Sequence, residues 1–307
     1  GQPPPDGDGT INVNVFQNDD SKFHLNHAGQ FLYDATLAGT ANGRGLFITD
    51  GVETVQALRL NQALDPFTTL LDYDLQSGDD LGGRQAFNDF GQVAFKATVA
   101  YQPPGTSAQP REAVYVYTPE LSFRATAGDG RWGTAENWTL SIPPAAVHDV
   151  TIGLGQLVFH DVAQITVGSL TLEGELDLAA GSRLATVDHL TLGSSAFLTV
   201  ADLVEASEAV IEVGGALSLA GALFPTGLGT AAAGEVYTVF EAAGGITGSF
   251  DALWYPLSLD PALDMMLVYE PDRVLLRIFS LSLEGDYNGD GFVSQADLDL
   301  VLLNWGA

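Results

Sequence analysis

Residues 170–192, LTLEGELDLAAGSRLATVDHLTL, open and close on one triplet, Leu170-Thr171-Leu172 and Leu190-Thr191-Leu192, and a variant, Leu217-Ser218-Leu219, follows. Leucines two residues apart share one face of a strand. The returns are 20 and 27 residues apart, the first close to one coil of a parallel β-helix, in which equivalent strands stack over a continuous aliphatic core. Short apolar runs alternate here with Gly, Ser and Ala turns, as stacked coils require. The pattern predicts a right-handed parallel β-helix over 127–233 with Leu170, Leu172, Leu190, Leu192, Leu217 and Leu219 pointing inward. From Gly234 to Phe279 the strands lengthen, as in Val236–Phe240, Met266–Tyr269 and Val274–Ile278. They are expected to form a β cap (234–281) over the last coil, whose open edge would otherwise invite pairing with other chains.

Upstream, Asn26-His27-Ala28-Gly29-Gln30-Phe31-Leu32-Tyr33-Asp34-Ala35-Thr36-Leu37 aligns with Asn88-Asp89-Phe90-Gly91-Gln92-Val93-Ala94-Phe95-Lys96-Ala97-Thr98-Val99, an offset of 62 residues. Each copy reads as an Asn-x-x-Gly turn feeding one strand, with a second strand behind it, Gly45–Thr49 in one and Ala113–Tyr117 in the other. These copies resemble the tandem Asn-x-x-Gly-Gln repeats of secreted bacterial surface proteins, which implies an antiparallel β repeat domain (17–126), propeller-like or sandwich-like. Two blades cannot close a ring. Either the unit is a small sandwich, or its exposed edges are completed by another chain. Residues 1–16 hold a Pro-Gly-Asp leader and then Thr10–Phe16, whose alternation of Ile11, Val13 and Val15 with Asn12 and Asn14 predicts a half-buried strand, a candidate for exchange with a neighbouring subunit. The segment from Trp132-Gly133 to Asn137-Trp138, with Pro143-Pro144 and Asp149–Ile152, resembles the lead-in to the β-helix of autotransporter-like passengers. Long helical periodicity is missing until the last dozen residues, so the chain reads as all-β.

The 307 residues carry 39 acidic against 11 basic side chains, a net charge of -28. Such a field repels phosphate backbones and anionic lipid and favours divalent cations, so nucleic acid and membrane partners are not expected. The chain has no cysteine, which removes disulfides, thiolate nucleophiles and cysteine-bound zinc, and no run of apolar residues is long enough to span a bilayer.

The strongest chemical motif is Asp286-Tyr287-Asn288-Gly289-Asp290-Gly291-Phe292-Val293-Ser294-Gln295-Ala296-Asp297. Asp286, Asn288, Asp290, the Phe292 carbonyl, Ser294 and Asp297 occupy the six ligand positions of a calcium loop, with Gly291 at its sharp turn. The helix behind it is expected to set Leu298, Val301, Leu302 and Trp305 on one face. Residues 282–307 resemble one half of a type I dockerin, and that resemblance implies calcium as cofactor and a cohesin-like protein as a possible partner. A dockerin has two such units where this segment shows one.

Other candidates are sparser. Asp6 and Asp8, Asp19 and Asp20, and Asp79 and Asp80 read as solvated turns or single contributions to a divalent site, and His24 and His27 as surface or turn residues. Glu173, Glu175, Asp177 and Asp188 are candidates for a paired-carboxylate glycosidase site, though an outward carboxylate on a strand or turn is ordinarily solvated. Residues 145–279 offer Arg183, Arg273 and Arg277 and no lysine as the base of a polysaccharide lyase. Trp132 and Trp138 suit either a plug over the first coil or a glycan platform, Trp254-Tyr255 the cap, and Trp305 the terminal helix. The expectation is a non-enzymatic extracellular or cell-surface structural protein that assembles with copies of itself and binds calcium. A glycan-binding or docking module is the second reading, and a β-helix polysaccharide-degrading enzyme the third.

Overall fold

The computed structural model describes residues 10–11, 23–39, 43–75, 86–201, 203, 208–281 and 293–304. The chain divides into two compact units, residues 1–130 with 134–151, and residues 131–133 with 152–307. The architecture is all-β, with a single α-helix among the described residues.

The first unit runs β1 (Thr10–Ile11), β2 (Phe23–Leu25), β3 (Phe31–Ala38), β4 (Arg44–Thr49), β5 (Thr54–Arg59), β6 (Ala63–Asp65), β7 (Thr68–Asp74), β8 (Val93–Tyr101), β9 (Gln109–Tyr117), β10 (Leu121–Ser122) and β11 (Asp149–Ile152), whose last residue belongs to the second unit. Two antiparallel sheets form, ordered β1-β3-β4-β5, with β2 also on β3, and β6-β7-β8-β9. The strands obey the alternation their residues dictate. Val93, Phe95, Ala97 and Val99 are buried along β8, while Ala94 and Lys96 face out.

The 62-residue repeat is reproduced in register. Leu25 lies opposite Phe31, and Phe87 opposite Val93. The equivalence extends to β1, because Ile11 pairs with Leu37 where Leu70 of β7 pairs with Val99. Arg44 ties the copies together. Its guanidinium holds Asp34 Oδ2 at 2.6 and 2.8 Å and Asp72 Oδ1 at 2.9 Å, and lies 4.4 Å from the centre of the Tyr73 ring, whose hydroxyl donates to Asp34 at 3.1 Å.

The second unit runs β12 (Leu157–His160), β13 (Gln164–Val167), β14 (Ser169–Leu172), β15 (Glu175–Leu178), β16 (Arg183–Thr186), β17 (Leu190–Leu192), β18 (Phe197–Val200), β19 (Ile211–Val213), β20 (Leu217–Leu219), β21 (Ala222–Pro225), β22 (Val236–Ala242), β23 (Ile246–Gly248), β24 (Ala252–Leu253), β25 (Leu263–Tyr269), β26 (Arg273–Ser280) and α1 (Gln295–Asn304). Three parallel ladders, β12-β15-β18-β21-β24, β13-β16-β19-β22 and β14-β17-β20-β23, give it a β-helix-like arrangement. Leu170, Leu190 and Leu217 stack in register. All six triplet leucines are buried, none more than 4% exposed. Adjacent coils approach so closely at some corners that only glycine fits. A Cβ on Gly214 would lie 2.1 Å from the Val187 carbonyl oxygen. The β22 ladder continues antiparallel into β26 and then β25.

Candidate functional site

The two copies of the repeat are unequal at one edge. In the first, β4 is flanked by β3 and β5, and its central residues Gly45 to Ile48 are all buried. In the second, β9 takes the place of β4, pairing along its whole length with β8 from Val93↔Tyr117 to Tyr101↔Gln109, but no described strand stands where β5 would be. The chain turns away at Thr118-Pro119-Glu120, and the next strand, β10, pairs in parallel with β11 instead. Proline cannot donate to a ladder, so this turn ends the meander. The consequence is a nine-residue edge strand with Val114 76% and Val116 61% exposed. Its polar devices are modest, a Lys96–Glu112 ion pair at 2.8 Å and Arg111 over Tyr101 at 4.2 Å. Main-chain donors and acceptors on such an edge are a template for another strand.

The candidate exchange strand is described at its first two residues only. Thr10 and Ile11 pair antiparallel with Ala38 and Leu37 of their own chain, filling the position that β7 fills in the second copy. Val13 and Val15 lie outside the described residues.

Of the calcium-loop donors, Asp286, Asn288, Asp290 and Phe292 also lie outside the described residues. Ser294 and Asp297 are brought together at the start of α1. Asp297 Oδ2 accepts from the Ser294 backbone N–H at 2.7 Å and from its hydroxyl at 3.3 Å, while Ser294 Oγ accepts from Ala296 N–H at 3.2 Å. This reciprocal arrangement caps the helix. It also fits a calcium loop, since two hard oxygen donors converge on one point and Asp297 is held at 2% exposure. Leu298 and Leu302 of the helix are 50% and 60% exposed, so the apolar face reads as uncovered there; Trp305 is outside the described residues.

Trp132 and Trp138 are 0% and 1% exposed, which removes both from any glycan platform. Trp132 packs 5.3 Å from the His160 ring, and Trp138 edge-on to Phe123 at 5.1 Å. His160 is fully buried at the foot of the inward row that continues through Leu178 and Val200, and burial pushes its imidazole below the ordinary range. His27 does meet a carboxylate, its own repeat equivalent: Asp89 Oδ1 accepts from the His27 backbone N–H at 2.8 Å and stands 3.6 Å from ring Nδ1. Asp6, Asp8, Asp19, Asp20, Asp79 and Asp80 lie outside the described residues, and among the described residues no three His, Asp or Glu side chains gather as a metal site.

Glu175 and Asp177 sit two apart on β15, so their carboxylates project side by side from one face, whereas an acid and a base must flank a scissile bond. Glu173 folds over Gly193 on the next coil, and Asp188 belongs to the turn that receives Gly215 N–H on its carbonyl at 2.6 Å. No protein-family model matches the chain, and no curated protein matches it. Exposed edges on the two-copy unit are expected from sequence, but not that β9 is one of them. The signal was the proline that follows Tyr117-Thr118, in a copy otherwise parallel to the first.

Proposed function

We propose that the chain is a non-catalytic structural subunit of an extracellular or bacterial cell-surface assembly, joined to copies of itself by β-strand addition at β9. One observation carries the reading: the second repeat stops a strand short of the first, leaving β9 uncovered where β4 is covered on both sides. A neighbour's strand would supply the missing ladder bonds and cover Val114 and Val116, while alternate side chains set the register. The net charge of -28 opposes casual aggregation, so association is selective and favoured by salt or divalent ions. Calcium held by Asp286, Asn288, Asp290, the Phe292 carbonyl, Ser294 and Asp297 would stiffen the C-terminal loop and helix by offsetting carboxylate repulsion.

The test is light scattering and electron microscopy of the full chain with calcium present, beside a Val114→Lys, Val116→Lys double variant. Both valines are exposed, so the variant keeps its core while guarding the edge with charge. Oligomers from the native chain and monomers from the variant are expected. A native chain that stays monomeric, or a variant that assembles equally well, overturns the reading.

A further inference from the structure

The three parallel ladders of the second unit share an inward chemistry but not an outward one. On β14-β17-β20-β23 the outward row is Thr171, Thr191, Ser218 and Thr247, and on β13-β16-β19-β22 it is Thr166, Ala185, Glu212 and Glu241. Small hydroxyls and charges are what water-facing positions ordinarily carry. The third ladder departs from this. One outward row reads Leu157, Glu175, Phe197, Ala222 and Ala252, and the next reads Phe159, Asp177, Thr199 and Phe224. Trp254 continues that second row, since its backbone N–H donates to the Leu223 carbonyl at 2.8 Å. Phe159 is 41% and Trp254 55% exposed. The Phe197 ring lies 5.4 Å from Trp254, edge to face, and 6.3 Å from Phe224. Glu175 and Asp177 are half-buried between Phe159 on one coil and this cluster on the others. Burial pushes the Asp177 carboxyl above its usual range, so the strip is a partly dry surface.

We infer that this strip binds a linear neutral polysaccharide, with sugar faces on Phe159, Phe197, Phe224 and Trp254 and sugar hydroxyls donating to Glu175, Asp177 and Thr199. Rings offer flat apolar faces and carboxylates accept hydrogen bonds, a pairing that suits a ligand apolar on its ring faces and rich in donors at its rim. The strip runs across five coils, roughly 19 Å at the spacing of adjacent strands. An elongated row of rings along one ladder matches a polymer of repeating units better than a compact ligand. A second copy of the chain fits poorly, because the centres of protein interfaces are depleted of charge and this one would bury two carboxylates against an equally acidic partner. Polyanions are repelled by the same field. A polycation would be drawn to the acidic surface at large, not to the one ladder that carries rings, and salt would release it. The inference does not depend on assembly at β9.

The test is native electrophoresis of the full chain in gels cast with hydroxyethylcellulose, galactomannan or dextran, beside a gel without polymer. Slowed migration in at least one neutral polymer is expected, at low and high salt alike, with affinity lowered about tenfold in Trp254→Ala, as for loss of an aromatic anchor. Asp177→Asn, which keeps the fold and an acceptor oxygen but not the charge, should weaken binding less. Thr191→Ala, on the hydroxyl ladder, should leave it unchanged, and matched thermal melts separate lost binding from lost folding. No slowing in any of the three gels overturns the inference. So does slowing shared equally by Trp254→Ala, slowing abolished by salt, or retardation in the polymer-free gel that rises with protein concentration and so reports self-association.

Discussion

Asn26 Nδ2 donates to the backbone carbonyl of Asn88 at 2.8 Å, so two residues at equivalent points of the repeat touch each other. Each also closes its own turn in the same way: Asn26 Oδ1 accepts from Gln30 N–H and Asn88 Oδ1 from Gln92 N–H, both at 2.9 Å, and each side-chain amide reaches the glutamine four residues on. The Asn-x-x-Gly-Gln sequence is therefore a clasp as well as a turn, and it explains why both ends of the motif carry amides.

The two asparagines should not be equally costly to lose. Asn26 is 5% exposed and its partner Gln30 1%, and Gln30 goes on to donate to the Leu140 carbonyl at 3.0 Å. Asn26→Ala leaves buried polar groups unpaired and should cost about 2–3 kcal/mol. Asn88→Ala opens bonds that water can replace and should cost about 1 kcal/mol. Urea unfolding of the two variants checks the order, and equal losses would show that burial of the first clasp does not set its cost.

His148 sets a pH response. It is fully buried; its Nδ1 accepts from Ala145 N–H at 3.1 Å, so Nε2 carries the proton and donates to the Phe90 carbonyl at 2.8 Å. Burial, ahead of the opposing bond to Phe90, holds its folded pKa below the ordinary value, as it does for His160 in the other unit. A depressed folded pKa means that the unfolded chain takes up protons first. Stability is then full above about pH 6.5 and is lost as pH falls below it. Asp50, where hydrogen bonds from Glu53, Val52 and Ser141 outweigh burial and lower the pKa, contributes a separate loss at more acidic pH. The urea midpoint should fall between about pH 7 and 5, and His148→Gln should flatten the part owed to the first unit.

What sequence could disclose depended on which side of a strand faced the core. Leu170, Leu190 and Leu217 had to be apolar because they stack, and their recurrence in one triplet was readable. Phe197, Phe224 and Trp254 face outward, where no core demand fixes residue type, and their meeting depends on coil lengths that vary from 22 to 30 residues. Trp132 and Trp138 illustrate the opposite difficulty, since a tryptophan in a turn-rich segment reads alike whether it plugs or protrudes, and only packing decides. Thr10–Ile11 escaped the repeat because it sits 59, not 62, residues before its counterpart Thr69–Leu70.

Coil stacking makes a prediction about glycine that backbone torsion alone would reverse. Gly155 has φ of +78° but open space around its Cβ position, whereas Gly214 has no positive φ yet would press a methyl against the Val187 carbonyl oxygen at 2.1 Å. The Val187 oxygen belongs to backbone and cannot swing away. Gly214→Ala should therefore cost about 3 kcal/mol by forcing coils apart, against about 1 kcal/mol for left-handed strain at Gly155→Ala. Thermal unfolding of the two variants measures the order, and a milder Gly214→Ala would mean that adjacent coils give way more easily than their spacing implies.

Calcium should act on the C-terminal segment alone. Ser294 and Asp297 cap α1 through each other, so the helix start has an order of its own beside whatever a cation adds. Carboxylates crowded by the Asp286 to Asp297 spacing repel one another without a cation, and removal of calcium should loosen 286–304 while the β-strands keep their protection. Hydrogen exchange with and without a chelator measures this. Because Asp297→Ala would break the cap and the ligand set together, the discriminating variant is Asp290→Asn, which sits at the fifth loop position, outside the cap. Asp290→Asn should give the chelated exchange pattern in the presence of calcium. If exchange in this segment ignores both chelator and Asp290→Asn, the loop binds no calcium and the cap alone accounts for its order.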